Sequence, residues 1–423
     1  MTSIYIDQSL RNSKMTQSNV SHSPLQQPLA LACGITIPNR IAKSAMSEQL
    51  ADRHGSPTTD LQQLYAAWAR GGTGLLITGN VMVDHRAFVE PRNVVLEDEQ
   101  FLQAHKLWAQ AAQANGSKII MQINHPGRVA VLPLLKKPIA PSAVGLDLPA
   151  MNLIRVPRAM SETEILEQIQ RFATTAALAV QAGFDGVQVH AAHGYLLSQF
   201  LSPLVNTRTD QWGGNPENRR RILIETVRAV RQAIGKNKIL SVKLNSADFQ
   251  KGGLSQEESR HIALALEEEG IDLLEVSGGN YESPAQLGYA PDRQVQRDAY
   301  FLDYATALRQ QSQLPLMLTG GLRDVDVMNR LVSDGTVDVV GLARPFALQP
   351  DLAKQLMAGK SVTAPTKIPA VGYKPIDAYL QLAWHAAQFR RISSGQQPKA
   401  IKSLVRTLLA FGPRMGFNIL TQD

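Results

Sequence analysis

Two imidazoles and a phenol fall within six residues. His190, His193 and Tyr195 close the run Gly183-Phe-Asp-Gly-Val-Gln-Val-His190-Ala-Ala-His193-Gly-Tyr195. Imidazole N–H groups can hydrogen-bond an oxygen on which negative charge builds in a transition state. A phenol, with an ordinary pKa of about 10, keeps its proton at neutral pH and can deliver it as a general acid. The three follow an apolar stretch, 186–190, that reads as a buried strand, so they stand at its C-terminal tip. One histidine in an apolar strand would be an ordinary core residue; a His-x-x-His-x-Tyr set at a strand tip is poorly explained that way. A metal site is the chemical rival. No third carboxylate or cysteine ligand accompanies the pair, and no metal is assigned.

Other residues extend this constellation. Lys243 lies inside the apolar run 239–244, and a buried ammonium is costly unless it faces an anion. A Schiff-base lysine, as in barrel aldolases, is the alternative. Gln122 offers a donor and an acceptor on one amide. Ala45 and Gly79 are small enough for a flat ring to approach the backbone. Gly320-Gly321 follows the seventh apolar run and Ala343-Arg344 the eighth. Backbone N–H groups beside a guanidinium form a phosphate cradle; alone, the glycine pair would be a tight turn.

These positions need a scaffold that gathers strand ends. Eight short apolar runs read as strands, at 40–47, 75–81, 118–124, 186–190, 239–244, 273–277, 316–319 and 337–341. Helical patterns separate them, at 59–70, 99–115, 162–182, 217–234, 256–269, 303–311 and 325–333. Ser161-Glu-Thr-Glu164 and Ser255-Gln-Glu-Glu258 carry N-cap chemistry. Strands alternating with helices predict a parallel sheet, and eight such units close into an α/β fold, the (β/α)8 TIM barrel. A doubly wound open sheet would leave the glycines after strands seven and eight without a common target. The third connection, 126–161, is long and proline-rich and is expected to cross the barrel mouth.

The 423 residues are 44% hydrophobic, enough for a large core. A lone cysteine, Cys33, excludes an internal disulfide framework, a zinc finger and an iron–sulfur cluster held by this chain. It suits a cytoplasmic setting. Of 43 basic and 36 acidic residues, ten basic and three acidic lie in 1–24 and 367–423, which leaves 33 of each in 25–366. The catalytic body is therefore not a nucleic-acid binder, and the +7 charge belongs to the tail. No apolar run is long enough for a membrane span. Residues 1–24 read as a disordered extension, with Met15 a candidate start. Residues 25–360 form the barrel. Residues 361–423 form a basic helical extension, with helices expected at 375–392 and 398–411. The apolar stripe of the second (Ile401, Leu404, Val405, Leu408) is expected to pack on the barrel or on a partner subunit in a homo-oligomer.

The ordered motifs resemble the old yellow enzyme family of FMN-dependent ene-reductases over roughly residues 29–350. Pro38-Asn-Arg-Ile41 leads into Ser44-Ala45-Met46-Ser47; Thr78-Gly79 follows. Gln122-Ile-Asn-His-Pro-Gly-Arg128 ends the third run. The histidine pair and Tyr195 are succeeded by Leu201-Ser-Pro203, Arg208-Thr-Asp210, Gly213-Gly214 and Pro216-Glu-Asn-Arg219. The resemblance implies FMN held by Ala45, Met46, Ser47, Gly79, Gln122, Lys243, Gly320, Gly321, Ala343 and Arg344. It implies a ping-pong cycle in which NADPH or NADH delivers hydride to the flavin N5 and then leaves. An α,β-unsaturated carbonyl or nitro compound then accepts the hydride, with its oxygen on His190 and His193 and its proton supplied by Tyr195. A related FMN-dependent dehydrogenase or demethylase is the alternative on the same barrel. Two positions depart from the family: Lys243 stands where arginine is common and Ser47 where cysteine or threonine is. Glu48 and Gln49 also alter the substrate rim.

Overall fold

The computed structural model describes residues 23–130, 137–147, 156–283, 301–365 and 374–400. Eight strands carry the architecture: β1 (Ile41–Lys43), β2 (Leu75–Ile77), β3 (Lys118–Asn124), β4 (Gly186–Ala191), β5 (Ile239–Asn245), β6 (Leu273–Ser277), β7 (Leu316–Thr319) and β8 (Val339–Leu342). Each pairs in parallel with the next, and β8 pairs with β1 to close the barrel. This is the (β/α)8 barrel the alternation predicts, not an open sheet.

The strand boundaries that shift by more than one residue do so at β1, β2 and β8. β1 ends at Lys43 rather than 47; Ser44 N–H still donates to Leu342 O at 2.8 Å, the last backbone bond that this stretch gives to β8. β2 breaks after Ile77, where Gly79 gives its N–H to a side chain, Glu48 Oε1, and the chain resumes parallel pairing with β3 at Val81–Met82. β8 starts at Val339: Asp338 still gives its N–H to Leu316 O at 2.8 Å, but its carbonyl accepts Arg40 Nη1 at 3.1 Å and its carboxylate accepts Leu316 N–H at 2.9 Å.

The helices are α1 (Thr59–Arg70), α2 (Leu102–Gln113), α3 (Glu162–Gln181), α4 (Leu196–Leu201), α5 (Pro216–Ile234), α6 (Gln256–Glu268), α7 (Leu302–Arg309), α8 (Val325–Ser333), α9 (Leu352–Met357) and α10 (Lys374–Ser393). Ser161 and Ser255 both form full capping boxes with the glutamate three residues on, as their spacing predicts. The six-residue α4 is not legible in the sequence, since it lacks a side-chain cap and is buried on every side.

The main core fills the layer between strands and helices. A second cluster, including Leu31, Ile37, Ile120, Ile239, Leu273 and Met317, plugs the lower half of the barrel. Beneath it a small antiparallel pair, Leu29–Ala30 with Thr36–Ile37, closes the floor. The polar interior is thus confined to the upper half. α10 packs on α1, and Phe389, fully buried, meets the Trp68 ring edge-on at 5.6 Å. The stretches 1–22 and 401–423, which contain most of the expected N-terminal extension and the Ile401 stripe, lie outside the described residues. Among the described residues no helix is long and apolar enough to cross a membrane.

Deleting the Phe389 ring should destabilise the fold by about 3–5 kcal/mol, the usual cost of an aromatic-to-alanine core change; urea unfolding of Phe389→Ala reads this directly. Burial also holds His105, His125 and His385 down to pKa values of about 4. The unfolded chain takes up these protons near pH 6.5 and the native state only near 4, so stability is expected to fall as pH drops through that window. His105→Phe should flatten part of the decline in a pH series of thermal melts.

Candidate active site

Polar residues alternate on the inward faces of neighbouring strands: Gln122 and Asn124 on β3, Gln188 and His190 on β4, Ser241, Lys243 and Asn245 on β5, Glu275 and Ser277 on β6. Register places Gln122 beside Gln188 and Gln188 beside Ser241, and one step higher His190 beside Lys243 and Lys243 beside Glu275. Side chains of adjacent parallel strands in register share a face, so these residues meet. Gln122 Nε2 donates to Gln188 Oε1 at 2.8 Å, and Gln188 Nε2 donates to Glu275 Oε2 at 2.9 Å and to Ser241 Oγ at 3.1 Å. Lys243 Nζ lies 3.0 Å from Glu275 Oε1, with both side chains buried. Thr319 Oγ1 donates to the same oxygen at 2.8 Å and meets Ser44 Oγ at 2.8 Å. Gly341 makes room for this: a Cβ there would lie 2.1 Å from Thr319 Oγ1 and 2.7 Å from Ser44 Oγ.

His190, His193 and Tyr195 come together at the tip of β4. The His190 ring is edge-on to His193 at 5.1 Å and to Tyr195 at 4.8 Å. His190 Nδ1 accepts Ala192 N–H at 3.2 Å, which leaves the proton on Nε2 as a donor. Burial, with His193 and Lys243 adding to it, pushes the His190 pKa well down; burial and Lys243 do the same to His193. Both rings are neutral at neutral pH. His193 sits in left-handed backbone at φ 62°, a strained state for a residue with a side chain. It is held there by Asn245 Oδ1, which accepts its N–H at 3.1 Å, and by Ser277 Oγ, 2.8 Å from its Nε2. Tyr195 heads α4 in extended backbone, with its hydroxyl 3.1 Å from that of Tyr281. Burial, then Tyr281 and Glu90, raises its pKa well above the ordinary value.

The opposite rim follows β1 and β2. Ala45, Met46 and Ser47 are half-buried just beyond β1. Ser47 donates to Glu90 Oε2, and Gln49 Nε2 reaches the same oxygen at 3.3 Å. Burial lifts the Glu90 carboxyl above the usual range, against those two hydrogen bonds. Gly79 allows a close approach here, since a Cβ would lie 2.4 Å from Met46 O and 2.1 Å from Glu48 Oε2. Behind this rim Lys43 is fully buried, with Nζ 3.2 Å from Glu48 Oε1, 2.9 Å from Tyr65 OH and 3.0 Å from Ile77 O. The Tyr65 hydroxyl donates to Glu48 as well. Across the mouth, Gly320 and Gly321 follow β7 with φ of 132° and 75°. Ala343 and the exposed Arg344 follow β8, the strand next to β7. The N-terminus of α8 is already capped by the Asp324 side chain, which accepts from Asp326 and Val327 N–H.

This surface fits FMN. Asn124, two residues beyond Gln122 on the same face, is buried with neither amide atom partnered among the described residues, and such an orphan calls for a hydrogen-bonding ligand or an ordered water. Ala45 and Gly79, on the β1 and β2 rim, add no bulky side chain to the mouth. Sequence reasoning missed Glu275, Gln188, Glu90, Tyr281 and the Lys43–Glu48 pair. The signal available for the first two was a polar residue alternating with aliphatic ones, as in Val187-Gln188-Val189 and Leu274-Glu275-Val276.

A closed parallel barrel with two neutral imidazoles, a buried lysine–glutamate pair and an unpartnered amide at its mouth suits a flavin-dependent oxidoreductase. Residues 24–362 match the model of the NADH:flavin oxidoreductase / NADH oxidase family, and the chain belongs to that family. It is 38% identical over 403 residues to the NADH-dependent flavin oxidoreductase nadA of Aspergillus parasiticus, covering 91% of this chain and 89% of the relative. Among solved structures it is similar to a 2-naphthoyl-CoA reductase in complex with 2-naphthoyl-CoA. The TM-score is 0.75 at 28% identity, over 82% of this chain and 54% of that longer one. It is also similar to the old yellow enzyme homologue of Zymomonas mobilis, with a TM-score of 0.69 at 26% identity, over 82% and 95% of the two chains. The protein is an FMN-dependent NADH/NADPH flavin oxidoreductase of the old yellow enzyme type.

Removing one member of a buried ion pair leaves the other charge uncompensated. Glu48→Gln, which strands the Lys43 ammonium, is therefore expected to cost about 3 kcal/mol or more in chemical denaturation. A loss under about 1 kcal/mol would show the pair to be energetically idle.

Proposed function

We propose that the enzyme reduces the activated C=C bond of α,β-unsaturated carbonyl or nitro compounds at the expense of NADH or NADPH. The observation that carries this reading is the His190–His193–Tyr195 cluster, which joins two neutral imidazoles to a proton-holding phenol at one strand tip. FMN, when bound, supplies the hydride chemistry, taking hydride from the nicotinamide and delivering it to the alkene carbon β to the activating group. Ala45, Met46, Ser47, Gly79 and Gln122 would hold its ring, Lys243 would face the pyrimidine edge, and Gly320, Gly321, Ala343 and Arg344 would bind its phosphate.

The chain's own residues then act on the substrate. His190 offers Nε2–H to the substrate oxygen, its tautomer set by the Ala192 N–H. A neutral imidazole donates without leaving a full positive charge buried in the empty state. His193 is the second donor through Nδ1–H, with its Nε2 accepting the Ser277 hydroxyl and its backbone N–H held by Asn245. As charge builds on the oxygen, fixed donors favour the transition state over the ground state. Tyr195 gives its proton to the α-carbon; its raised pKa keeps it protonated across the neutral range. The substrates are small molecules, and a cytoplasmic setting agrees with the single cysteine.

Stopped-flow separation of the two half-reactions tests the assignment. Tyr195→Phe is expected to slow enone reduction by about 10²–10⁴-fold while nicotinamide still bleaches the flavin absorbance at its normal rate. His190→Ala should lower enone turnover by about 10²–10³-fold. Full cyclohexenone turnover by Tyr195→Phe, or stoichiometric FMN retained by Arg344→Ala, would remove the corresponding role.

A further inference from the structure

A carboxylate only accepts hydrogen bonds, and that one-way character propagates through the upper barrel. Glu275 is fully buried on β6. Its Oε2 accepts Gln188 Nε2, so Gln188 turns its nitrogen toward β6 and its carbonyl oxygen toward β3. That oxygen accepts Gln122 Nε2 at 2.8 Å. Gln122 is thereby fixed with Oε1 as its remaining acceptor. On its other oxygen Glu275 holds Lys243 Nζ at 3.0 Å, with Thr319 Oγ1 donating beside it at 2.8 Å. One acid therefore governs two side chains on β3 and β5, neither of which is adjacent to the other.

We propose that Glu275 is the positioning residue of the FMN site: it fixes the Gln122 amide with its oxygen presented as acceptor and it anchors and offsets the Lys243 cation. The inference rests on FMN lying across Gln122 and Lys243. A lysine is a point charge on a flexible four-carbon stem, with no planar fork to set its own direction, so its place depends on a partner. The partner also changes the electrostatics. Reduction adds negative charge to a flavin, which an ammonium favours and a nearby carboxylate opposes. A Lys243–Glu275 pair presents almost no net charge where an unpaired cation would present one. The Lys43 ammonium, whose pKa both Lys243 and Glu275 influence, stays paired to Glu48 and is common to every variant below.

The test is the midpoint potential of FMN-loaded protein at fixed pH, with the FMN dissociation constant measured alongside. Glu275→Gln should bind reduced FMN about tenfold more tightly relative to oxidised FMN, a rise of about 30 mV for a two-electron couple. Lys243→Gln should move the potential the opposite way. The double variant Lys243→Gln/Glu275→Gln leaves no unpaired charge and should return near the wild-type value. An unchanged or lowered potential in folded, flavin-loaded Glu275→Gln overturns the proposal. Where the single variant does not fold, the double variant must lie above Lys243→Gln by a similar step, and equal potentials overturn it equally. If neither Lys243→Gln nor Gln122→Leu moves the potential or the FMN affinity, the placement of FMN itself fails, a result distinct from failure of Glu275 alone.

Discussion

Charge buried in and around a closed barrel must be matched within a few ångströms, and the upper half of this molecule is arranged around that requirement. Barrel interiors are ordinarily packed with branched aliphatic side chains. Here the aliphatic packing stops halfway up, at the layer of Ile120, Ile239, Leu273 and Met317. Above it Lys243 faces Glu275 within the barrel, while Lys43 faces Glu48 between β1 and α1. Neither pair is a strong source of stability, since desolvating two ions offsets most of their attraction. What such pairs supply is direction: each donor has a designated acceptor, and the amides of Gln188 and Gln122 inherit an orientation from them.

The same logic reaches the His190–His193–Tyr195 tip of β4. His193 occupies left-handed backbone, which its β4 neighbours alone would not maintain. The strain is held by Asn245 from β5 and Ser277 from β6, the strands that also carry Lys243 and Glu275. The histidine tip and the Lys243–Glu275 network thus share supports. A change in β6 is expected to be felt at both, whereas the Ser47–Glu90 rim is built separately from loops beyond β1 and β2.

The outer shell explains how a polar interior is tolerated. A continuous aliphatic and aromatic layer between strands and helices, extended by α10 through the Phe389–Trp68 contact, carries the hydrophobic stabilisation that the upper barrel lacks. Closure of the floor by the Leu29–Ala30 and Thr36–Ile37 pair keeps water from the apolar lower half. The reactive end can then be specialised without loss of the core.

The amino-acid sequence by itself determined the period of the chain: eight apolar runs, the helices between them, the Ser161 and Ser255 caps, and a His-x-x-His-x-Tyr cluster at a strand tip. These are local signals, carried by spacing and side-chain type, so they are readable without neighbours. The family resemblance extended that reading to the whole rim. The tertiary structure alone decided which polar side chains meet. Glu275 lies 32 residues from Lys243 and 87 from Gln188, Tyr281 lies 86 from Tyr195, and Glu90 lies 43 from Ser47. A lone glutamate in Leu-Leu-Glu-Val-Ser says only that it faces inward; its partner is set by strand order and register. Register in a closed barrel is a property of all eight strands together, because each strand must satisfy two neighbours at once.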